Sequence, residues 1–333
     1  MKIAVDAMGG DHAPVEVVKG AVEAAESGIH VILVGDQDSI KSELAKCSYP
    51  TSLVEVKHAS EVVQMDDHPA TAIRRKSDSS IVVAANLVAS REAHAMVSAG
   101  NTGAAMAVAT LKLGRIPGID RPAIATFFPT MNGKVVLLDA GANVDCSVEN
   151  LLQFAVMGAK YSERVLKVEN PRVGLLSIGE EATKGNELTK ATNPRLCEVG
   201  LNFIGNVEGK DLFRGAVDVV VCDGFAGNIV LKVAEGIAEF MLSTIKKEIN
   251  RSLISKAGVL LMAPALRRSK AKLDYAEYGG APLLGVNGVC IISHGRSDAR
   301  AIRNAIRVAA DSVAGDVVGC ISSSVQQKEL ATS

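Results

Sequence analysis

The chain has 333 residues, with Lys+Arg 36 against Asp+Glu 37 and a formal net charge of −1, so no global basic field draws it to DNA or RNA. Aromatic residues are 3% and Trp is absent, which argues against a stacking platform for single-stranded nucleic acid. Apolar residues at 48% and charged residues at 22% suit a globular α/β enzyme of one or two lobes. No apolar run approaches the ~18 residues that a bilayer span needs. The N-terminus has no charged stretch followed by an apolar one, so no secretory signal is expected. The cysteines (Cys47, Cys146, Cys197, Cys222, Cys290, Cys320) are scattered without a CxxC pair and are expected as reduced thiols in a cytoplasmic protein.

In chain order, short β-branched runs alternate with longer small-residue stretches. The pattern predicts strands at residues 3–5, 31–34, 53–57, 95–97, 124–127, 135–138, 173–177, 203–205, 217–221 and 289–292. Helices are predicted at 15–27, 79–91, 103–113, 148–162, 184–199, 228–250 and 299–314. Many strands are nearly continuous apolar runs, as in a sheet covered on both faces by helices. The expected fold is therefore α/β, a wound and mostly parallel sheet flanked by helices. One unit of two lobes is expected over residues 1–321, with a polar, frayed tail at 322–333.

Residues from about 227 to 272 break this rhythm and read as a protruding helical hairpin. Its apolar link carries Val259, Leu260, Leu261 and Met262, followed by Arg267, Arg268, Lys270 and Lys272. Two readings stand together: a dimer interface, and a tip that dips into a membrane surface with cations beside anionic headgroups.

Four segments share one grammar of strand, acid or polar residue, glycine and helix. They run from Asp6 through Gly9, Gly10, Asp11 and His12; from Ser98 through Asn101, Thr102 and Gly103; from Asp139 to Asn143; and from Asp223 through Gly224 to Asn228. A relative of the same pattern runs from Ser177 through Lys184, Gly185 and Asn186. Amides at helix N-termini form natural anion cradles, and Lys184 among small residues is a candidate point charge for phosphate. The repetition leads to the expectation that these junctions open into one crevice. Asp6, Asp11, Asp139 and Asp223 could hold a divalent cation, but bracing of turn amides is the preferred reading. No GxGxxG, HExxH or paired-cysteine zinc spacing occurs, and Gly205–Asp211 has the wrong spacing for a P-loop. His12 and His294 are candidates for a general acid or an oxyanion donor. Cys146 has no histidine beside it, so a thioester intermediate is not expected.

Taken in order, DAMGGDHAP (6–14), SAGNTGA (98–104), RPAIATFFPT (121–130), LLDAGANVD (137–145), IGEEATKGNEL (178–188), FIGNVEGKDLF (203–213), DGFAGNIVLK (223–232) and LDYAEYGGAPLLGVNG (273–288) closely resemble the bacterial acyl-ACP:phosphate acyltransferase family. The resemblance spans residues 1 to about 318. One departure is Ser177, where many members carry Asn before Ile-Gly-Glu-Glu. The resemblance implies a fold similar to isocitrate and isopropylmalate dehydrogenases and to phosphate acetyltransferases, in a homodimer joined through long helices. It implies transfer of a long acyl group from acyl carrier protein to inorganic phosphate, giving an acyl phosphate. A membrane glycerol-3-phosphate acyltransferase then consumes that product, which places the enzyme in the cytoplasm against the membrane surface. No cofactor and no metal are implied. In that chemistry Lys184, His12, His294 and Asn228 are the expected catalytic residues. Asp6, Gly9, Gly10, Asp11, Asn101, Thr102, Gly103, Asn143, Gly185, Asn186, Asp223 and Gly224 are expected to bind phosphate or substrate. Arg267, Arg268, Lys270 and Lys272 are expected to dock the acidic carrier. The alternatives are an acyl-CoA-dependent phosphate acyltransferase and a non-catalytic membrane-docking scaffold.

Overall fold

A computed structural model describes every residue except 253, 254, 257, 260, 261, 264–278 and 333. Its strands are β1 (Lys2–Asp6), β2 (His30–Gly35), β3 (Val54–His58), β4 (Ala95–Ser98), β5 (Ala123–Thr130), β6 (Gly133–Leu138), β7 (Val173–Leu176), β8 (Phe203–Val207), β9 (Val219–Val221), β10 (Ala281–Leu284) and β11 (Val289–Ile292). The helices are α1 (Val15–Glu26), α2 (Gln37–Leu44), α3 (Pro69–Arg75), α4 (Ser80–Ala89), α5 (Thr102–Lys112), α6 (Val148–Arg164), α7 (Glu187–Cys197) and α8 (Gly224–Asn250), followed by Ala299–Ala314 and Val317–Thr332.

All strands join one 11-stranded sheet in the order β3-β2-β1-β4-β11-β10-β5-β6-β9-β7-β8. Lobe one holds β1 to β4 and β11, all parallel. Lobe two holds β6, β9, β7 and β8, also parallel among themselves. Between them β10 runs antiparallel to β11 and to β5, and β5 runs antiparallel to β6. The two parallel blocks therefore point in opposite directions. Their carboxyl ends open at opposite edges of the sheet, which the sequence reading did not anticipate. β10 is four residues long and contains Pro282, so its β signal is faint beside the long apolar strands.

Helices cover both faces. In β5, Ile124 joins the core beneath α4 and α5 and Phe128 the core beneath α8, while Ala123, Ala125 and Phe127 face α6 and the Val317–Thr332 helix. On the second face of lobe one, α1 packs along Ala299–Ala314. Gly20 permits this, since a Cβ there would lie 2.7 Å from Ile302 Cβ. The Ala299–Ala314 helix thus completes the lobe that the chain's first segment begins. The stretch expected to fray from Ser322 is helical, and burial of Ile321 and Val325 against lobe two ties it down.

α8 is 27 residues long and carries Phe225, Ile229, Val233, Ile237, Phe240 and Ile245 exposed at helical spacing. Helical backbone resumes around Ser255, Gly258 and Met262. Ser255, Gly258, Val259 and Met262 line one groove with Thr244, Ile245 and Glu248 of α8. Val259 and Met262 of the expected tip lie beside α8, and Met262 is exposed. Leu260 and Leu261 lie outside the described residues.

Arg172 secures lobe two. Its guanidinium donates to both Asp218 carboxylate oxygens at 2.9 Å and to the Gly215 carbonyl, and its amide donates to Asp218 at 2.8 Å. These bonds hold the Asp218 carboxyl below its ordinary range against the opposing effect of burial. Stability from this contact is present above the unfolded aspartate pKa of about 3.9 and lost as pH falls through the lower folded value. Asp218→Asn should cost about 1–2 kcal/mol at neutral pH, a charged hydrogen bond discounted for solvent screening. In thermal unfolding the gap from wild type should begin to narrow as pH falls below about 4 and close only below the lower folded value.

Candidate active site

The lobe-one rim is built on a buried carboxylate. β1 delivers Asp6, 2% exposed, and Ser98 at the end of β4 donates its hydroxyl to Asp6 Oδ2 at 2.7 Å. Ser80 of α4 and the amides of Met8 and Gly9 add further bonds. Burial pushes the Asp6 carboxyl up, and these donors oppose it. Above it two glycine turns meet backbone to backbone. A Cβ on Gly9 would lie 2.5 Å from Asp6 Oδ2 and 2.8 Å from the Gly100 nitrogen, so no larger residue fits without movement. Gly10 takes φ +108 between the carbonyls of Ala99 and Gly295. The Asp11 amide donates to Gly295 at 2.8 Å, which brings the β11 loop into the same rim.

Asn101 caps α5 through Ala104, and its Nδ2 donates to the Met65 and Asp67 carbonyls. Its side chain is thus spent on shaping the rim. The first-turn amides of Thr102 and Gly103 have no intrahelical acceptor and are left for an anion. Asp11, His12 and His294 are exposed around this rim. His294 Nδ1 accepts from the Arg296 amide at 3.1 Å, which places the ring proton of the neutral imidazole on Nε2.

The lobe-two rim repeats the plan at the opposite sheet edge. Asp139 is fully buried and accepts from the amides of Ile124, Ala142 and Asn143 and from Asn143 Nδ2. Burial raises its carboxyl, and these bonds pull against that. Asn143 Nδ2 also donates to the Pro122 carbonyl at 2.8 Å. α8 presses its first turn onto this loop. Gly224 donates to the Asn143 carbonyl at 2.7 Å, and a Cβ on Gly227 would collide with the Asp139 carbonyl. Asp223 caps α8 by accepting from Ala226 at 2.8 Å, and exposed Asn228 packs over Gly141. On the neighbouring strand end, Ser177 to Asn186 form a compact turn. Asn186 caps α7 by accepting from Thr189 at 2.9 Å, and Lys184 is exposed without an ion-pair partner among the described residues.

The structure thus sorts the expected site residues into two groups. Asp6, Gly9, Gly10, Asp11, His12, Asn101, Thr102, Gly103 and His294 belong to lobe one. Asn143, Lys184, Gly185, Asn186, Asp223, Gly224 and Asn228 belong to lobe two. The reversal at β10 and β5 sets the two groups on parallel blocks of opposite sense, while Ala140 and Ala142 of the lobe-two rim join the same core as Ala104 and Ala105 of α5. Asp6, Asp11, Asp139 and Asp223 do not gather around one point. Asp6 and Asp139 brace turn amides, and Asp223 is a helix cap. Lys210 pairs with Glu208 and Glu180 instead of facing an empty loop, in keeping with the rejected P-loop. Burial pushes the Cys146 thiol up to about 11, which disfavours a thiolate nucleophile. Arg267, Arg268, Lys270 and Lys272 lie outside the described residues. Sequence reasoning gave no role to Ser80, a serine at the start of an apolar helix, and left Ser98 out of the candidate site although it opens one of the glycine segments.

Residues 1–319 match the family model described as "Fatty acid synthesis protein". A phosphate acyltransferase of Pelotomaculum thermopropionicum is 56% identical over 331 residues, covering 99% of this chain and 96% of its own length. One of Desulfitobacterium hafniense is 58% identical over 315 residues, covering 94% of each. The chain belongs to this family. Among solved structures, a phosphotransacetylase from Streptococcus pyogenes superposes with a TM-score of 0.64 at 17% identity, over 96% of this chain and 94% of that one. The EutD phosphotransacetylase from Staphylococcus aureus gives 0.60 at 15%, over 94% of each. At such identity these likenesses establish the fold, an α/β sheet flanked by helices.

Within this family frame the glycines of the rim make a direct test of packing. Gly9→Ala should lower stability by about 1–3 kcal/mol, because the new methyl meets backbone and a buried carboxylate. Gly236→Ala, mid-helix in α8 with open space around it, should raise stability by about 0.5–1 kcal/mol. Denaturant unfolding of both variants checks the pair.

Proposed function

We propose that the chain transfers a long-chain acyl group from acyl carrier protein to inorganic phosphate, yielding an acyl phosphate for phosphatidic acid and phospholipid synthesis. The observation that carries this reading is full-length membership of the family, together with glycine-lined rims whose helix amides suit an anion. Phosphate oxygen attacks the thioester carbonyl, a C–O bond forms, and the C–S bond breaks. The carrier leaves as a thiolate that takes a proton from water or a nearby acid. The balance closes without an electron acceptor or an acyl-enzyme, so no cofactor is required.

The roles follow from the atoms each group presents. The amides of Thr102 and Gly103, with the Gly9–Gly10 turn, receive oxyanions. His294 and His12, both exposed on loops of lobe one, are the proposed donors to the developing tetrahedral oxygen. Lys184, with the Gly185 and Asn186 backbone, pairs with phosphate, and Asn228 supplies an amide at the start of α8. The product is an activated, hydrolysable lipid precursor, suited to immediate use by a membrane glycerol-3-phosphate acyltransferase. No single described helix is long and apolar enough to cross a membrane. Contact with the bilayer is assigned to the Val259–Met262 tip, and carrier docking to the basic segment that follows it.

Incubation with palmitoyl carrier protein and phosphate should produce acyl phosphate with sequential kinetics; ping-pong kinetics or a trapped acyl-enzyme would refute direct attack. Turnover of acyl-CoA in place of the carrier would support the alternative donor, and liposome binding without turnover the scaffold reading. Lys184→Ala should raise the phosphate KM by about tenfold or more, the loss of one charge-assisted contact.

The exposed stripe on α8 is read as the seam of a homodimer, since so long an apolar face is unusual on a monomer. Lys184 and the α5 N-terminus lie on blocks of opposite strand sense, and the proposed dimer is the means by which one protomer's rim completes the other's. Ile237→Asp with Phe240→Asp should yield monomers in sedimentation velocity and abolish turnover while circular dichroism is retained.

A further inference from the structure

We infer that Asn206 is a positioning residue that holds the Lys184 loop in its anion-receiving shape; this rests on the reading of Lys184 as the partner of phosphate. Asn206 closes β8, is 6% exposed, and reaches under the loop that follows β7. Its Nδ2 donates to the Glu181 carbonyl at 2.9 Å and approaches the Lys184 carbonyl at 3.5 Å. Its Oδ1 accepts from Asn193 Nδ2 of α7 at 2.8 Å, and Asn193 is 7% exposed. Ser177 adds a hydroxyl to the Lys184 carbonyl at 3.2 Å.

A side chain here must accept on one side and donate to carbonyls on the other, and an amide does both. In a trans peptide the carbonyl and the following N–H point in opposite directions. Drawing the Lys184 carbonyl inward therefore turns the Gly185 N–H outward. Gly185 at φ +113 lets the chain make that turn. Gly179 lets the Lys184 stem lie close, since a Cβ there would sit 2.9 Å from Lys184 Cγ. The clamp thus sets a cation and a backbone donor on the same small turn. In this reading Asn206, Asn193 and Ser177 act only through the loop they hold.

The test compares Asn206→Leu, Asn206→Asp and Ser177→Ala with wild type, measuring KM for phosphate, KM for the acyl donor and the unfolding midpoint. In Asn206→Leu the phosphate KM should rise about tenfold with the donor KM within about twofold, because one anion site is loosened. Asn206→Asp should be worse, since it sets a carboxylate against two carbonyls. In a Lys184→Ala background, Asn206→Leu should add no further loss, as expected for residues acting as a unit. A folded Asn206→Leu with an unchanged phosphate KM overturns the proposal, as does equal loss in both KM values or, where Lys184→Ala itself raises the phosphate KM, fully multiplicative loss in the double variant. Should Asn206→Leu fail to fold, Ser177→Ala decides: about a two- to threefold rise in phosphate KM supports the clamp and no change overturns it. If Lys184→Ala leaves the phosphate KM unchanged while Asn206→Leu raises it, the Lys184 reading falls and the clamp stands, acting through the Gly185 amide.

Discussion

Strand direction governs this molecule. β10 and β5 form the antiparallel seam between two parallel blocks, and everything placed at a strand's carboxyl end inherits its sense. Open α/β sheets collect ligands at those ends. Here the seam creates two such edges, one for each lobe. The lobe-one edge carries the Asp6 turn and the α5 N-terminus, and the lobe-two edge carries the Asp139 turn, the Lys184 loop and the α8 N-terminus. The exposed face of α8 begins at the second edge and runs away from it. Chemistry, helix and assembly are therefore linked by one topological choice.

Both edges solve the same physical problem in the same way. A rim that offers backbone amides to an anion must hold its own backbone in place without side-chain bulk. A buried aspartate does this from below, Asp6 in one lobe and Asp139 in the other, each taking several donors. Glycines complete the device by letting neighbouring turns approach within van der Waals distance. The cost is a desolvated carboxyl, offset by hydrogen bonds that a solvated turn would not need. Asparagine and aspartate side chains at the helix starts are mostly spent as caps, so what remains for a ligand is largely main chain.

Much of this was legible in the residues. Ala299–Ala314 begins and ends where its apolar period and the Asp298 cap place it, and the strand-glycine-helix grammar marks every rim. The ordered motifs carry the family by themselves. The seam was not legible, because Ala281–Leu284 is too short and too broken by proline to declare a strand direction, and pairing partners are not written in periodicity. For that reason the opposite sense of the two blocks could not be read from the residues. Ser80 and Asn206 were invisible for another: each serves a group distant in sequence, Asp6 or the Lys184 loop, and a lone serine or asparagine carries no pattern of its own. Asn101 and Asp223 look like ligands in sequence because capping residues and anion binders draw on the same short polar side chains.

The placement of β11 has a consequence for how the chain is made. β11 inserts between β4 and β10 and pairs Val289 with Ala95, so lobe one is closed by residues synthesised last. Until they emerge from the ribosome, β4 presents an open, apolar edge, and α1 lacks the helix it packs against. Lobe two's strands and the helices α6 to α8 emerge earlier, but its core also waits for Val317, Ile321 and Val325 of the final helix. The nascent molecule therefore passes through a stage in which neither lobe is closed, and truncation before Val289 leaves β4 without its neighbour and the lobe-two core without its last helix.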